Sequence, residues 1–219
     1  MQIMQVVGTV SVVTTTDGPV LGLRERKKVA ARSALQRAAL ELAAERGVEH
    51  VTVDDIAARA GMSARTFFNY FSSKEDALVA PDARVLELMA RQVVARPPDE
   101  SPLEALRTVI LAQMSSEAAE LDLLRLRMTV VEPNPALLPR LVGSFAAAER
   151  LFAAAVATRT GTDVDRDAYP MLLAAVAAAA LRTALHLWRT SNFTASLPDL
   201  LDQAFTSLAS GLPHPRPTR

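Results

Sequence analysis

Residues 51–74, read VTVDDIAARAGMSARTFFNYFSSK, hold two short helical patterns separated by one glycine. In the first pattern, apolar side chains recur at the spacing of one helix face, at Val53, Ile56, Ala57 and Ala60. Gly61 follows and is able to take the left-handed conformation that ends a helix. Two short helices joined across a tight glycine turn form the helix-turn-helix pattern, which constrains the fold more than any other feature of the chain.

Both of these helices have recognisable starting residues. Thr52, with Asp55 three positions later, has the spacing of a capping box, although Asp stands where Glu or Gln is usual. Ser63 is suited to cap the second helix, which we predict to run from the next residue to Phe71. Phe67 and Phe71 lie four residues apart, so we expect both rings to face the first helix.

The opposite face of the second helix is the predicted DNA-reading surface. An α-helix fits the major groove of B-DNA, where Arg pairs bidentately with guanine and Asn with adenine, so Arg65 and Asn69 are the predicted base contacts. Neighbouring hydroxyl and ammonium groups suit phosphate contacts, which hold register without reading sequence. The candidate DNA contacts in this stretch are Thr52, Ser63, Ala64, Arg65, Thr66, Phe68, Asn69, Tyr70 and Lys74. The alternative is a helical hairpin with a polar outer face.

A basic run, Arg24-Glu25-Arg26-Lys27-Lys28, opens the preceding helix. Such a run is either a solvated face or an arm that reaches phosphates or the minor groove. We include Arg24, Lys27 and Lys28 among the candidate DNA contacts. The chain has a formal net charge of zero, yet residues 24–74 carry ten Lys or Arg against six Asp or Glu, a net charge of +4. The positive excess lies where phosphate binding requires it.

Four segments between residues 24 and 78 occur together in order. They are Leu35-x-x-Ala38-Ala39-x-x-Leu42-x-x-x-x-Gly47, Thr52-Val53-Asp54-Asp55-Ile56-Ala57, Ala60-Gly61-Met62-Ser63 and Thr66-Phe67-Phe68-x-Tyr70-Phe71-x-x-Lys74-Glu75. This arrangement resembles the TetR family of bacterial transcriptional regulators. The resemblance implies a homodimer that holds a roughly palindromic operator until a small molecule in the C-terminal domain moves its recognition helices out of register. Phe68 stands where the family often has Tyr, so that position loses a hydroxyl donor.

The remaining chain reads as helices separated by proline and glycine breaks, without a convincing strand pair or an internal repeat. We predict an all-α fold of about nine helices. A three-helix helix-turn-helix domain occupies residues 23–72, and a larger helical domain for ligand binding and dimerisation occupies residues 73–212. We expect residues 1–22 to be a flexible extension and residues 213–219 to be a loose tail.

Pro81 falls inside the first helical pattern of the larger domain. Because an interior proline removes a backbone hydrogen bond, we predict a kink or break near Ala80. The break is either a simple boundary between two helices or a hinge that carries movement from the larger domain to the DNA-binding module.

A long, nearly all-apolar helix is predicted at residues 169–190, followed by a last helix at residues 197–212. A helix that is apolar nearly all round must be buried on most sides. We therefore predict that these two helices form a dimer interface, closing as a four-helix bundle across a two-fold axis. Burial within one chain is the competing explanation.

Large apolar or soft side chains on several helices predict a cavity for a hydrophobic small molecule, although a core position is the alternative for each of them. The candidate ligand contacts are Met89, Met114, Leu124, Met128, Phe145, Phe152, Tyr169 and Trp188. Four basic or titratable residues, Arg125, Arg127, His186 and Arg189, lie on the same helices. Any of them that points inward would favour a ligand with a carboxylate or another acceptor.

Motifs of catalysis and metal binding are missing from the sequence. It has no Cys, its three His are too far apart for a local zinc motif, and it has no GxSxG, P-loop or GxGxxG segment. Asp163, Asp165 and Asp167 alternate as in a calcium loop but lack the Gly and Glu of that motif. No charge-free and proline-free apolar stretch reaches about eighteen residues, so we expect no membrane span.

The combined prediction is a cytoplasmic regulator that is not an enzyme and needs no cofactor or metal. Its predicted partners are a double-stranded DNA operator, a second copy of the chain and a hydrophobic effector that releases it from the operator as a repressor. Two alternatives stay open at this point. One is a helical carrier of hydrophobic small molecules, and the other is a regulator that acts as an activator or without a ligand.

Overall fold

The computed structural model describes residues 22–115 and 118–213, and all regular elements in these residues are helical. The predicted extension at residues 1–22, apart from Gly22, and the predicted tail beyond residue 213 lie outside the described residues. The α-helices are α1 (Leu23–Arg46), α2 (Val53–Arg59), α3 (Ala64–Phe68), α4 (Lys74–Val79), α5 (Ala83–Ala95), α6 (Pro102–Met114), α7 (Ala118–Val131), α8 (Leu138–Thr160), α9 (Ala168–Thr190) and α10 (Leu197–Ala209). Short 3-10 helices lie at Val48–His50 and Pro135–Leu137. The predicted all-α fold is therefore confirmed.

The described helices pack as two compact units. The first unit contains residues 22–82 and 118–134, so α7 belongs with α1 to α4 and packs on α1 and α4. The second unit contains residues 83–115 and 135–213. The assignment of functional domains to residues 23–72 and 73–212 stays a prediction, because packing alone does not assign a function.

The core of the first unit follows the apolar pattern of the sequence. Leu35, Ala39 and Leu42 on α1 are buried, as their helical spacing predicts. Phe67 is fully buried and Phe71 is buried beside it, with 5.4 Å between their ring centres. These two rings give α3 an apolar support, since aromatic pairs at this separation attract each other beyond the area that they bury.

The predicted break near Pro81 separates α4 from α5. Ala80 is in an extended conformation, with φ −75° and ψ 123°, which confirms the break. Side chains of α1 bind the backbone carbonyls that the break leaves outside the helices. Gln36 Nε2 donates to Ala80 O at 2.6 Å, and Arg32 Nη2 donates to Pro81 O at 3.2 Å. These bonds hold the segment against α1. They also satisfy backbone carbonyls near the core, which would be costly to leave without hydrogen-bond partners.

The second unit is built around α9, which packs on both α8 and α10. One face of α9 is buried and includes Leu173, Ala177 and Trp188. Beside it, Leu172 is exposed by 62% and Leu187 by 43% within one chain. The single chain therefore does not bury α9 on all sides, and an apolar face remains on its surface.

Two helical segments of the second unit, Pro135–Thr160 and Ala168–Thr190, are apolar and long enough to cross a membrane. The sequence predicts no such span, and core helices of soluble proteins share this length and composition. An ion pair between Arg182 Nη1 and Glu149 Oε1, at 2.9 Å, joins these two helices. Ionic contacts of this kind are typical of helices in a soluble bundle, because charged groups are costly inside a bilayer.

Some helix ends differ from the prediction. At the break before α8, a side-chain hydrogen bond and a 3-10 turn replace the predicted helix cap. The pair Asn134-Pro135 predicts a helix that Asn134 caps and that begins at Pro135. In the structure Asn134 does not cap α8, and its side-chain amide instead donates back to Val130 O at 2.6 Å. Pro135 starts a 3-10 turn, so α8 begins only at Leu138. At the other end of the unit, α10 stops at Ala209, three residues before the predicted end.

Candidate nucleic-acid interface

Helix α2 begins at a complete capping box. Thr52 Oγ1 accepts a hydrogen bond from the Asp55 backbone N–H at 3.1 Å, and Asp55 Oδ2 accepts one from the Thr52 N–H at 3.1 Å. The hydrogen bonds from Thr52 also lower the pKa of the Asp55 carboxyl below its ordinary value. The predicted start of α2 is confirmed, and Asp performs the part that Glu or Gln usually plays.

The turn between α2 and α3 has the hydrogen bonds of a Schellman motif. Gly61 has φ +67°, and its N–H donates to Ala58 O at 3.0 Å. The Met62 N–H reaches back to Ala57 O at 2.8 Å. This pair of bonds satisfies carbonyl groups at the end of α2 and sets the direction in which α3 begins.

Helix α3 starts at Ser63, whose Oγ accepts from the Thr66 N–H at 3.1 Å. It is shorter than predicted, because α-helical bonding ends at Phe68 instead of Phe71. The last turn tightens into bonds of the i to i−3 type, from the Asn69 N–H at 3.1 Å and the Tyr70 N–H at 2.9 Å. Asn69 and Tyr70 thus lie in a turn that extends the helix.

The outer side of this segment presents the two predicted base contacts. Arg65 and Asn69 are exposed, and the Phe68 ring is exposed by 59%. Within residues 22–115 and 118–213, the side chains of Arg65 and Asn69 make no hydrogen bond to protein. Their donors and acceptors are therefore available to base edges. Of the other candidate contacts in the stretch, Thr52 and Ser63 are exposed, while Ala64, Thr66 and Tyr70 are half-buried.

The basic start of α1 lies next to the end of the α3 segment. Leu23, Arg24, Lys27, Lys28 and Tyr70 line one open groove on the surface. Lys28 Nζ also pairs with Glu25 at 3.1 Å. The structure thus places three candidate phosphate contacts of α1 beside Tyr70, and their contact with DNA stays a prediction.

Lys74 has a structural contact that the sequence analysis missed. Its ammonium donates to Val51 O at 2.8 Å and to Val48 O at 2.9 Å, and so ties the start of α4 to the 3-10 turn before α2. The predicted phosphate contact of Lys74 is untested. These bonds join residues more than twenty positions apart, so no local spacing in the sequence reveals them.

Arg32 is a second residue that sequence reasoning missed. Its Nη1 donates to Tyr70 O at 2.6 Å, and its guanidinium carbon lies 4.0 Å from the centre of the Phe71 ring. Its Nε lies 3.7 Å from Asp82 Oδ2. Residues 64–71, which are α3 and the turn that extends it, form the predicted recognition segment. Arg32 therefore connects the end of this recognition segment with the break before α5.

The candidate ligand contacts are divided between the two units. Leu124 and Met128 lie half-buried on α7 in the first unit. The other six lie in the second unit, where Met89 and Trp188 are buried, Met114, Phe145 and Phe152 are half-buried, and Tyr169 is exposed. Of the accompanying polar residues, Arg125 and His186 are exposed, and Arg127 and Arg189 are half-buried. A ligand-binding role for any of them stays a prediction.

A capped helix-turn-helix with exposed Arg and Asn, carried on a chain whose described elements are all helical, defines a DNA-binding transcriptional regulator. The chain matches the bacterial regulatory proteins of the tetR family over residues 35–80 and the MftR C-terminal domain over residues 100–213. It is 35% identical over 186 residues to the HTH-type transcriptional regulator TcmR of Streptomyces glaucescens, covering 82% of this chain and 81% of TcmR. The chain belongs to the TetR family of transcriptional regulators.

Solved structures of similar fold include two repressors. SmeT, the repressor of the Stenotrophomonas maltophilia multidrug efflux pump SmeDEF, is 21% identical with a TM-score of 0.54, over 85% of this chain and 97% of SmeT. FadR of Thermus thermophilus, a TetR-family repressor solved with lauroyl-CoA, is 24% identical with a TM-score of 0.53, over 86% of this chain and 98% of FadR. At these identities the similarity shows the fold alone.

Proposed function

We propose that this protein is a homodimeric repressor that binds a roughly palindromic operator and leaves it when a hydrophobic small molecule binds. The observation that carries the proposal is that the recognition segment has one buried aromatic side and one exposed polar side. Phe67 and Phe71 are buried behind it, while Arg65 and Asn69 are exposed and make no hydrogen bond to the described part of the protein. A braced helix with free Arg and Asn groups is suited to read base edges in the major groove.

Dimerisation is supported by the apolar surface of α9. Leu172 and Leu187 are exposed within one chain, and α10, which packs on α9, ends beside the exposed Leu212. Exposed leucines on α9 and just after the end of α10 suit a two-fold interface, because such an interface buries the same apolar patch from both copies. The two recognition segments would then read half-sites separated by about one turn of B-DNA, roughly 34 Å.

A hydrophobic effector is supported by the mixture of buried and half-buried large side chains in the second unit, which includes Met89, Phe145, Phe152 and Trp188. The similar FadR fold holds lauroyl-CoA. The effector acts by preferring the conformer that does not fit the operator, and a preference of a few kcal/mol shifts most of the population. We place the protein in the cytoplasm, where its DNA target is accessible.

The test is binding of the purified chain to the DNA that flanks its own gene, measured by fluorescence anisotropy against a scrambled duplex of equal length. We expect preferential binding that weakens steeply between about 50 and 200 mM salt, because phosphate contacts release counterions. Equal affinity for both duplexes at all salt concentrations would contradict the proposal and favour the carrier of hydrophobic small molecules. A reporter gene behind the bound site separates repression from activation.

A further inference from the structure

Arg127 on α7 is an arginine without a partner inside the first unit. Its Nε atom is buried and makes no hydrogen bond, and its guanidinium has no ion pair among the described residues. Helix α7, which carries this cation, packs against α1 and α4 in the unit that contains the helix-turn-helix. Buried charges in proteins are normally paired, because an unpaired charge away from water is costly.

The charged group that acts on Arg127 is a second arginine, Arg32. Burial, followed by the positive charge of Arg32, lowers the pKa of Arg127 to about 10. Arg32 has its own counter-charge, because Asp82 lies 3.7 Å from its Nε. An anion placed at Arg127 would therefore compensate a half-buried charge whose Nε has no partner, and it would be attracted by both guanidinium groups.

Apolar side chains accompany Arg127 on the same helix. Leu124 precedes it by one helical turn, and Met128 follows it directly, and both are half-buried. A residue three positions earlier lies on the same helix face. A half-buried guanidinium with an unpartnered Nε, beside such groups, suits a molecule that has an acidic head and a hydrocarbon body.

We propose that Arg127 binds the anionic group, a carboxylate or a phosphate, of an amphipathic effector. The regulatory consequence of this inference rests on the proposed function. Binding of the anion itself depends only on residues of the first unit. The anion competes with Asp82 for Arg32, and Arg32 holds Tyr70 O at the end of the recognition segment. Binding at Arg127 thereby changes the support of the DNA-reading surface.

The test uses three probes with one hydrocarbon chain and different heads: dodecanoate, dodecyl phosphate and dodecanol. Isothermal titration calorimetry of the full chain gives the affinity of each. We expect at least one of the two anions to bind about tenfold more tightly than the alcohol, because a charge-assisted contact is lost in the alcohol. The comparison of dodecanoate with dodecyl phosphate identifies the head group that fits.

Arg127→Gln is the diagnostic variant, and Arg125→Gln, an exposed position on the same helix, is the matched control. Arg127→Gln is expected to remove the preference for the anion while leaving dodecanol binding unchanged, and Arg125→Gln is expected to retain the preference. Anion binding that is unaffected by Arg127→Gln overturns the inference. So does a wild-type chain that binds neither anion, or that binds dodecanol equally well.

The midpoint of thermal unfolding distinguishes a binding arginine from one that only supports the fold. In the absence of anions, Arg127→Met is expected to raise the midpoint of unfolding, because it replaces a guanidinium whose buried Nε has no partner with an apolar group of similar length. A lower midpoint would show that Arg127 supports the fold as it stands and would overturn the inference. Release of operator DNA by the bound anion is measured separately, so failure of the repressor proposal leaves the binding result intact.

Discussion

Arg32 Nη1 donates a 2.6 Å hydrogen bond to the backbone carbonyl of Tyr70, 38 residues further along the chain. The same guanidinium also lies against the Phe71 ring and donates to Pro81 O at 3.2 Å. One side chain of α1 therefore holds both the end of the recognition segment and the segment that separates α4 from α5. We therefore expect the orientation of the predicted DNA-reading surface to depend on Arg32, although this residue has no predicted contact with DNA.

Arg32→Lys is expected to destabilise the protein and to weaken operator binding. Lysine keeps the charge but cannot bind two carbonyls and stack on a ring at once, so the loss is about 2–4 kcal/mol in the free energy of unfolding. Urea unfolding followed by circular dichroism measures it. Arg26→Lys, at an exposed position of the same helix, is the control and should leave the midpoint unchanged. Equal midpoints for the two variants would contradict this role of Arg32.

Arg65→Ala and Asn69→Ala are expected to relax base preference. Each removes a predicted bidentate contact, so discrimination against a wrong base at one operator position falls by about 1–3 kcal/mol. The measurement is anisotropy on operators that carry single base changes. Arg166→Ala, which removes one charge from an exposed loop of the second unit, is the control. If both Arg65→Ala and Asn69→Ala keep the full base preference, α3 is not the recognition helix.

The helix-turn-helix was predictable because its determinants are local. The capping box joins Thr52 to Asp55, and Gly61 takes the left-handed conformation that its position between two helical patterns predicts. The end of α3 was not predictable from local spacing. Its last turn has i to i−3 bonds at Asn69 and Tyr70, and the Tyr70 carbonyl is bound by Arg32, 38 residues earlier in the chain.

Long-range side-chain contacts account for the other differences. Lys74 was predicted from its position to contact phosphate, yet its ammonium also binds carbonyls more than twenty residues earlier. Arg127 was one of several basic residues on apolar helices, and only the packing of α7 against α1 and α4 shows that its Nε is buried without a partner. Helical periodicity predicts which face is apolar, but it does not predict which helix covers that face.

Lys74→Met is expected to lower stability as well as DNA affinity. Methionine keeps most of the stem but loses both short bonds to Val48 O and Val51 O, at a cost of about 2 kcal/mol. Operator and scrambled DNA should lose affinity by the same factor, because neither the structural contact nor a phosphate contact reads bases. Thermal unfolding and anisotropy on the two duplexes measure these effects. A variant with unchanged stability would show that the carbonyl contacts contribute nothing to the fold.

Asp55 is expected to make the first unit sensitive to acid. Because hydrogen bonds from Thr52 lower its pKa in the folded state, the ionised carboxylate stabilises the fold above the unfolded pKa, which is about 3.9. That stabilisation is lost as the pH falls through the lower folded pKa. Asp55→Asn should therefore unfold with a weaker dependence on pH between about 5 and 2 than the wild type. Asp54→Asn, at the exposed neighbouring position, is the control, and an equal change in both variants would contradict the assignment.

Two glycines offer a matched pair of substitutions with opposite expected signs. Gly61 has φ +67°, so Gly61→Ala places a side chain in the left-handed region and is expected to cost about 1–2 kcal/mol. Gly143 lies inside α8 with no atom within 4 Å of an added Cβ, so Gly143→Ala is expected to stabilise the protein by about 1 kcal/mol. Chemical unfolding of both variants measures the difference.

Gly61→Ala should in addition weaken operator binding, because the turn that the added side chain strains sets the direction of α3. Gly143→Ala should leave operator binding unchanged. A stabilising Gly61→Ala would mean that the turn is not held in the left-handed conformation.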